Sequence, residues 1–181
     1  MVINSEHIKV NLDSLEYHPY LDNQGLINAE LENKIGIYAI FNQEKTLQYV
    51  GYSRNLFLSL KQHLVRQLDQ CYWLKYYVIE RPSRSILEEI KQNWLDENGV
   101  IPQGNSTLEN LWNQPIDAKL SLTAEEKEEY QNSDELSKIK LLKQVARRVE
   151  SEIKNNLASR NVNLEIRFNP KLKEEGLLDL K

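Results

Sequence analysis

The sequence is short of most features that staple, anchor or label a chain. It has one cysteine, Cys71, in 181 residues. A single thiol cannot form an internal disulfide, and it excludes a cysteine-rich metal cage. Six glycines and five prolines are too few for a collagen-like or low-complexity chain. No apolar run approaches the ~20 residues that a membrane-spanning helix needs. The N-terminal MVINSEHIKV lacks the apolar core of a signal peptide, so the expected compartment is the cytoplasm, with no membrane partner. The phosphate-binding loop, the G-x-G-x-x-G turn, the H-E-x-x-H helix and the paired-cysteine zinc pattern are all absent. His7, His18 and His63 lie far apart in sequence, so only the fold could assemble them into a metal site.

What is present is a globular composition, 40% hydrophobic and 28% charged. A chain of this length buries roughly 70% of the surface it exposes when unfolded and needs no covalent staple. The net charge of -4 disfavours coating of nucleic acid by the whole surface and leaves room for a local basic face.

The periodicity divides the chain into three regions. Residues 1–33 have no lasting period and read as an irregular N-terminal arm with one short element at Leu12 to Tyr17. Residues 34–105 read as a domain. Ile35 to Asn42 is a continuous apolar run, a buried strand; Gln43 to Thr46 is a polar turn; Leu47 to Ser53 is a second strand, paired with the first as a hairpin. Asn55 is placed to cap a helix over about Leu56 to Arg66, and Ser83 a second over about Arg84 to Glu97, stopped by Asn98 and Gly99. Between them Cys71 to Glu80 is aromatic and β-branched, as strands prefer. The expected fold class is therefore α+β, a small three-stranded, mainly antiparallel sheet flanked by helices.

Residues 106–181 read as a helical C-terminal extension packing on the domain. Ile139, Leu142, Ala146, Val149 and Ile153 recur at helical spacing and predict one apolar stripe on a long helix. Should that stripe lie exposed, a protein partner or self-association through this helix is the alternative. Lys138, Lys140, Lys143, Arg147 and Arg148 follow a strongly acidic stretch and read as its balancing solvated face, with phosphate tracking as the alternative.

The most informative residues are Gly36-Ile37-Tyr38 and, one short turn later, Tyr49-Val50-Gly51. They place two tyrosines on adjacent strands. Behind them come Ser53-x-Asn55-Leu56, a helix bearing His63, a helix bearing Glu88 and Glu89, then Pro102 and Asn105. That ordered set, over about Lys34 to Asn105, resembles the GIY-YIG endonuclease family. The resemblance implies metal-dependent hydrolysis of DNA phosphodiester bonds. It implies catalytic roles for Tyr38, Tyr49, His63 and Asn105, and a metal-binding role for Glu88, with Glu89 as the alternative. It further implies a Mg²⁺ or Mn²⁺ cofactor and DNA, or RNA, as partner. A metal held by one carboxylate and waters would supply positive charge to the transition state and activate water.

The sequence departs from that family at one position. Ten residues after Tyr49, where the family carries an arginine, stands Ser59, which offers no fixed cationic fork to a phosphate. Lys61 and Arg54 lie nearby, Arg66 two turns further along the helix, and Arg84 opens the other helix; none is a clean substitute, and Arg54, Lys61 and Arg84 are the expected nucleic-acid contacts. The implied activity is accordingly weak or altered. The alternative is a catalytically inactive nucleic-acid- or protein-binding module on the nuclease fold. Trp94 and Trp112 are expected to be packing residues, and Cys71 a small core hydrophobe.

Overall fold

Gly36–Phe41 (β2) is a run of six buried residues, and the sheet grows outward from it on both sides. In the computed structural model, which describes residues 9–181, β2 pairs antiparallel with Leu47–Ser53 (β3). The connecting turn is closed by Asn42, whose side-chain oxygen accepts from the Thr46 N–H at 2.9 Å. On its other side β2 pairs antiparallel with Trp73–Val78 (β4), and β4 with the two-residue His18–Pro19 (β1). The order is β1-β4-β2-β3. The sheet thus has four antiparallel strands where the sequence suggests three. β1 is two residues long and carries no alternation a sequence could display; backbone pairing with Leu74 and Trp73 defines it.

Two helices sandwich this sheet. Leu56–Arg66 (α1) begins at Asn55, whose side chain accepts from the Leu58 N–H at 3.2 Å. Arg84–Asn98 (α2) begins at Ser83, which accepts from the Ile86 N–H at 3.3 Å, and ends at Gly99 in the left-handed conformation, φ 80°. Both starts and the stop are those the cap residues predict.

Strand alternation sorts the side chains. Ile37, Ala39, Phe41 and Val50 face α2, where Leu87, Ile90 and the fully enclosed Trp94 complete an apolar core. Tyr38 faces α1. Residues 9–33 join the same body. The Trp94 indole N–H donates to the Val10 carbonyl at 2.8 Å, and the buried Lys75 ammonium donates to the Leu12 carbonyl at 3.1 Å. The Glu97 carboxylate accepts from the Leu12 N–H at 2.7 Å.

The chain forms two compact units, one ending at Trp112 and the other running from Asn113 to Lys181. Glu109–Asn113 (α3) closes the first. In the second, Ile116–Asp117 (β5) pairs antiparallel with Leu177–Leu178 (β6). Ala124–Asn132 (α4) is capped by Thr123 and Glu126 reciprocally, and Glu135–Ser159 (α5) is the long helix. Its buried side comprises Leu141, Leu142, Val145, Ala146, Val149 and Leu157. The apolar stripe therefore exists, but it is turned toward Leu141 and Val145, leaving Ile139 and Ile153 half-buried. The basic residues of α5 have acidic neighbours: Arg148 bonds Glu126, and Lys143 lies 3.0 Å from Glu174. Near the C-terminus Phe168 makes an isolated antiparallel bridge to Leu180. Among the described residues there are five helices, and the fold class is α+β.

Candidate functional site

β2 and β3 each send a tyrosine to the α1 side of the sheet, and α1 answers with His63. The Tyr38 hydroxyl lies 2.7 Å from His63 Nε2. The Tyr49 ring is 4.7 Å from the imidazole and 6.1 Å from the Tyr38 ring. Trp112 of α3 closes the group, stacked on Tyr49 at 5.0 Å with the planes 5° apart. Arg66, a turn below His63, holds this lid by donating to the Trp112 carbonyl at 2.8 Å. Gly51 makes room for the rings; a Cβ there would stand 2.7 Å from both the Tyr38 hydroxyl and the Tyr49 ring.

The rings bury one another. Tyr38, Tyr49, His63 and Trp112 are all 6% exposed or less. Burial, then the neighbouring Arg66 charge, lowers the His63 pKa from its usual 6.5 to about 3. The imidazole is therefore neutral at physiological pH. Its Nδ1 faces the Trp112 backbone without a hydrogen bond of good geometry. Nε2 shares one hydrogen bond with the Tyr38 hydroxyl, whose direction is set by the imidazole tautomer. Burial, reinforced by Tyr49, raises the Tyr38 pKa well above the phenol's ordinary value. Tyr38 is thus a fixed neutral hydroxyl and is poorly suited to deprotonating water.

One polar line leads out of this cluster. Ser59 lies close enough to Tyr38 to influence its hydroxyl, and it donates to the Ser53 hydroxyl at 2.6 Å. Ser53 opens on a cleft of about 280 Å³ lined by Ile35, Tyr52, Arg54, Pro82, Arg84 and Leu87. The arrangement offers neutral hydroxyls and two arginines, a set suited to orienting a polar group.

The other residues singled out from the sequence lie apart from the rings. Glu88 accepts from the Tyr52 hydroxyl at 2.6 Å. Tyr52 packs against the α2-side core, so the sheet separates this carboxylate from Tyr38 and His63. Glu89 is exposed on α2 and Lys61 half-buried on α1. Arg54 and Arg84 border the cleft. Asn105 binds the strand beside Tyr49, accepting from the Val50 N–H and donating to the Val50 carbonyl, each at 2.8 Å. Sequence reasoning assigned Trp112 to packing and gave Ser53 no role; only the fold brings Trp112 onto Tyr49. Cys71 is fully enclosed, its Sγ 3.6 Å from the His63 carbonyl.

No family model matches the chain. One curated relative, the bifunctional monothiol glutaredoxin-S16, chloroplastic, of Arabidopsis thaliana, is 31% identical over 81 residues, 42% of this chain and 28% of the relative. The chain thus spans under a third of the length of the relative it matches. That relative bears the name of a redox protein, and this overturns the nuclease assignment drawn from the two tyrosine triplets. With it go the phosphodiester hydrolysis, the inactive module on a nuclease fold, the Mg²⁺ or Mn²⁺ cofactor and the DNA or RNA partner. The structure supplies physical grounds for part of the correction. The Tyr38 pKa is raised rather than lowered. The relative is chloroplastic, which gives the cytoplasmic placement no support; no helix among the described residues is long and apolar enough to cross a membrane.

Proposed function

We propose that this chain works within a thiol-redox system as a module that does not itself carry the reactive thiol. The observation behind this is the burial of Cys71. Thiol–disulfide exchange requires a thiolate that a substrate sulfur can reach, and the one thiol here is 0% exposed in a core position. The relative is described as bifunctional. A chain that matches part of it and lacks an accessible thiol fits the portion serving the function other than the glutaredoxin one. Its working surface is the cleft at Ser53, Arg54 and Arg84, supported from behind by Ser59, Tyr38, His63 and Tyr49. A chain with a single cysteine suits a reducing compartment, the cytoplasm among them.

The test is thiol accounting on the intact protein. The native chain should not reduce a small disulfide in the presence of glutathione. A maleimide should label Cys71 only after denaturant unfolds the protein. Rapid labelling of the native protein, together with disulfide reduction that Cys71→Ser abolishes, would overturn the proposal.

A further inference from the structure

A second cavity, of about 370 Å³, lies beside β1 under the loop that carries residues 20–31. It is distinct from the Ser53 cleft and plays no part in the function proposed above. Its floor is apolar: Tyr20, Ile27, Leu31 and Leu74 are each 3% exposed or less. One wall is aromatic, the His18 and Tyr76 rings lying 4.9 Å apart and tilted by 32°. The volume falls within the range of ~300–1,000 Å³ typical of small-molecule sites.

The charge of the lining is one-sided. Asp22 stands at the rim, and no lysine or arginine lines the cavity. Asp22 Oδ1 is committed to the loop, accepting from the Gln24 N–H at 2.8 Å and the Leu26 N–H at 3.0 Å. Those bonds fix the carboxylate in place at the rim. A flat apolar body satisfies the floor, a π-face satisfies the ring wall, and a positive group satisfies both Asp22 and the tyrosine quadrupole. An anion would meet an uncompensated carboxylate.

We infer that this cavity binds a small planar aromatic cation, its ring against His18 and Tyr76 and its charged group toward Asp22. Binding here would also reach α1, because the Tyr20 hydroxyl on the cavity floor donates to the Leu60 carbonyl at 2.5 Å.

Benzamidine and benzoate test this as a matched pair, equal in shape and opposite in charge, titrated into the full-length protein and followed by NMR. Benzamidine should give saturable shifts at His18, Leu26 and Tyr76, with benzoate roughly tenfold weaker. Ala29→Trp, which fills the mouth from an exposed position, should abolish the shifts. Asp22→Asn keeps the oxygen that the loop needs. It should weaken benzamidine by roughly threefold to tenfold and leave benzoate no worse. Three results would each overturn the inference: no saturable benzamidine binding, binding that survives Ala29→Trp in a folded protein, or benzoate binding as tightly as benzamidine.

Discussion

The two faces of the sheet are built from alternate residues of the same strands, yet they differ in kind. The α2 face is mainly apolar: Ile37, Ala39, Phe41 and Val50 meet Leu87, Ile90 and Trp94, and the Lys75 ammonium beside them is satisfied by the Leu12 carbonyl. The α1 face buries Tyr38, Tyr49 and His63, with hydroxyls and an imidazole among its leucines. The α2 face rests mainly on shape, its few buried polar atoms being met by backbone carbonyls. The α1 face must also satisfy polar atoms in a dry environment, which makes it less forgiving per atom and more specific in geometry. The contrast teaches that one short strand can serve cohesion with its odd-numbered residues and chemistry with an even-numbered one.

The contrast can be broken from either side. Trp94→Ala should have the largest effect, a loss of about 3–5 kcal/mol in the urea unfolding of the Trp112-containing unit, because it empties the centre of the apolar face. A loss under about 1 kcal/mol would show that this face is not the main source of cohesion.

Acid should act through the other face. The His63 pKa is lowered on folding, so the unfolded chain binds the proton more readily. The stability tied to a neutral His63 is complete above about pH 6.5 and is lost as the pH falls toward the folded value of about 3. Between pH 6.5 and pH 5 the loss approaches about 2 kcal/mol. His63→Gln should flatten that slope relative to the wild type, and parallel profiles for the two proteins would dismiss His63 as its cause.

The smallest effect belongs to one oxygen. Tyr38→Phe removes the partner of His63 Nε2 and should cost about 1–2 kcal/mol, since a buried polar atom loses its hydrogen bond. It should leave the α2-side residues unmoved in an NMR comparison; shifts spread equally over both faces would mean that the sheet does not insulate them.

The hairpin, both capped helices and the aromatic third strand were legible in the sequence because each has a periodic apolar pattern bounded by a turn or a cap. β1 was not, since two residues show no period and His18 gains its place from Leu74 across the sheet. The convergence of Tyr38 and Tyr49 followed from the hairpin register. The separation of Glu88 did not, because Tyr52, which holds it, faces the opposite side from its neighbour Gly51. Trp112 was expected to pack, but its partner was hidden for a similar reason: its stacking on Tyr49 spans many residues of sequence that no local pattern connects. The motif was easier to see than its chemistry. The spacing of the triplets reports the strand pairing, whereas the raised Tyr38 pKa arises from packing that residues far along the chain complete.

β3 is an outer strand of the sheet, and its free side would ordinarily be a template for another chain. Asn105 engages both the N–H and the C=O of Val50, copying with one side-chain amide what a neighbouring strand would offer. Gly104 keeps the segment close, since a Cβ there would clash with the Gln48 carbonyl. At the opposite margin β1 is two residues long and ends in Pro19, which has no N–H to donate. Both margins are thus blunted, one by an amide and one by an imide. Both devices work against the pairing of this sheet with another chain, and in β3 it is a single side chain, Asn105, that occupies the place of a strand.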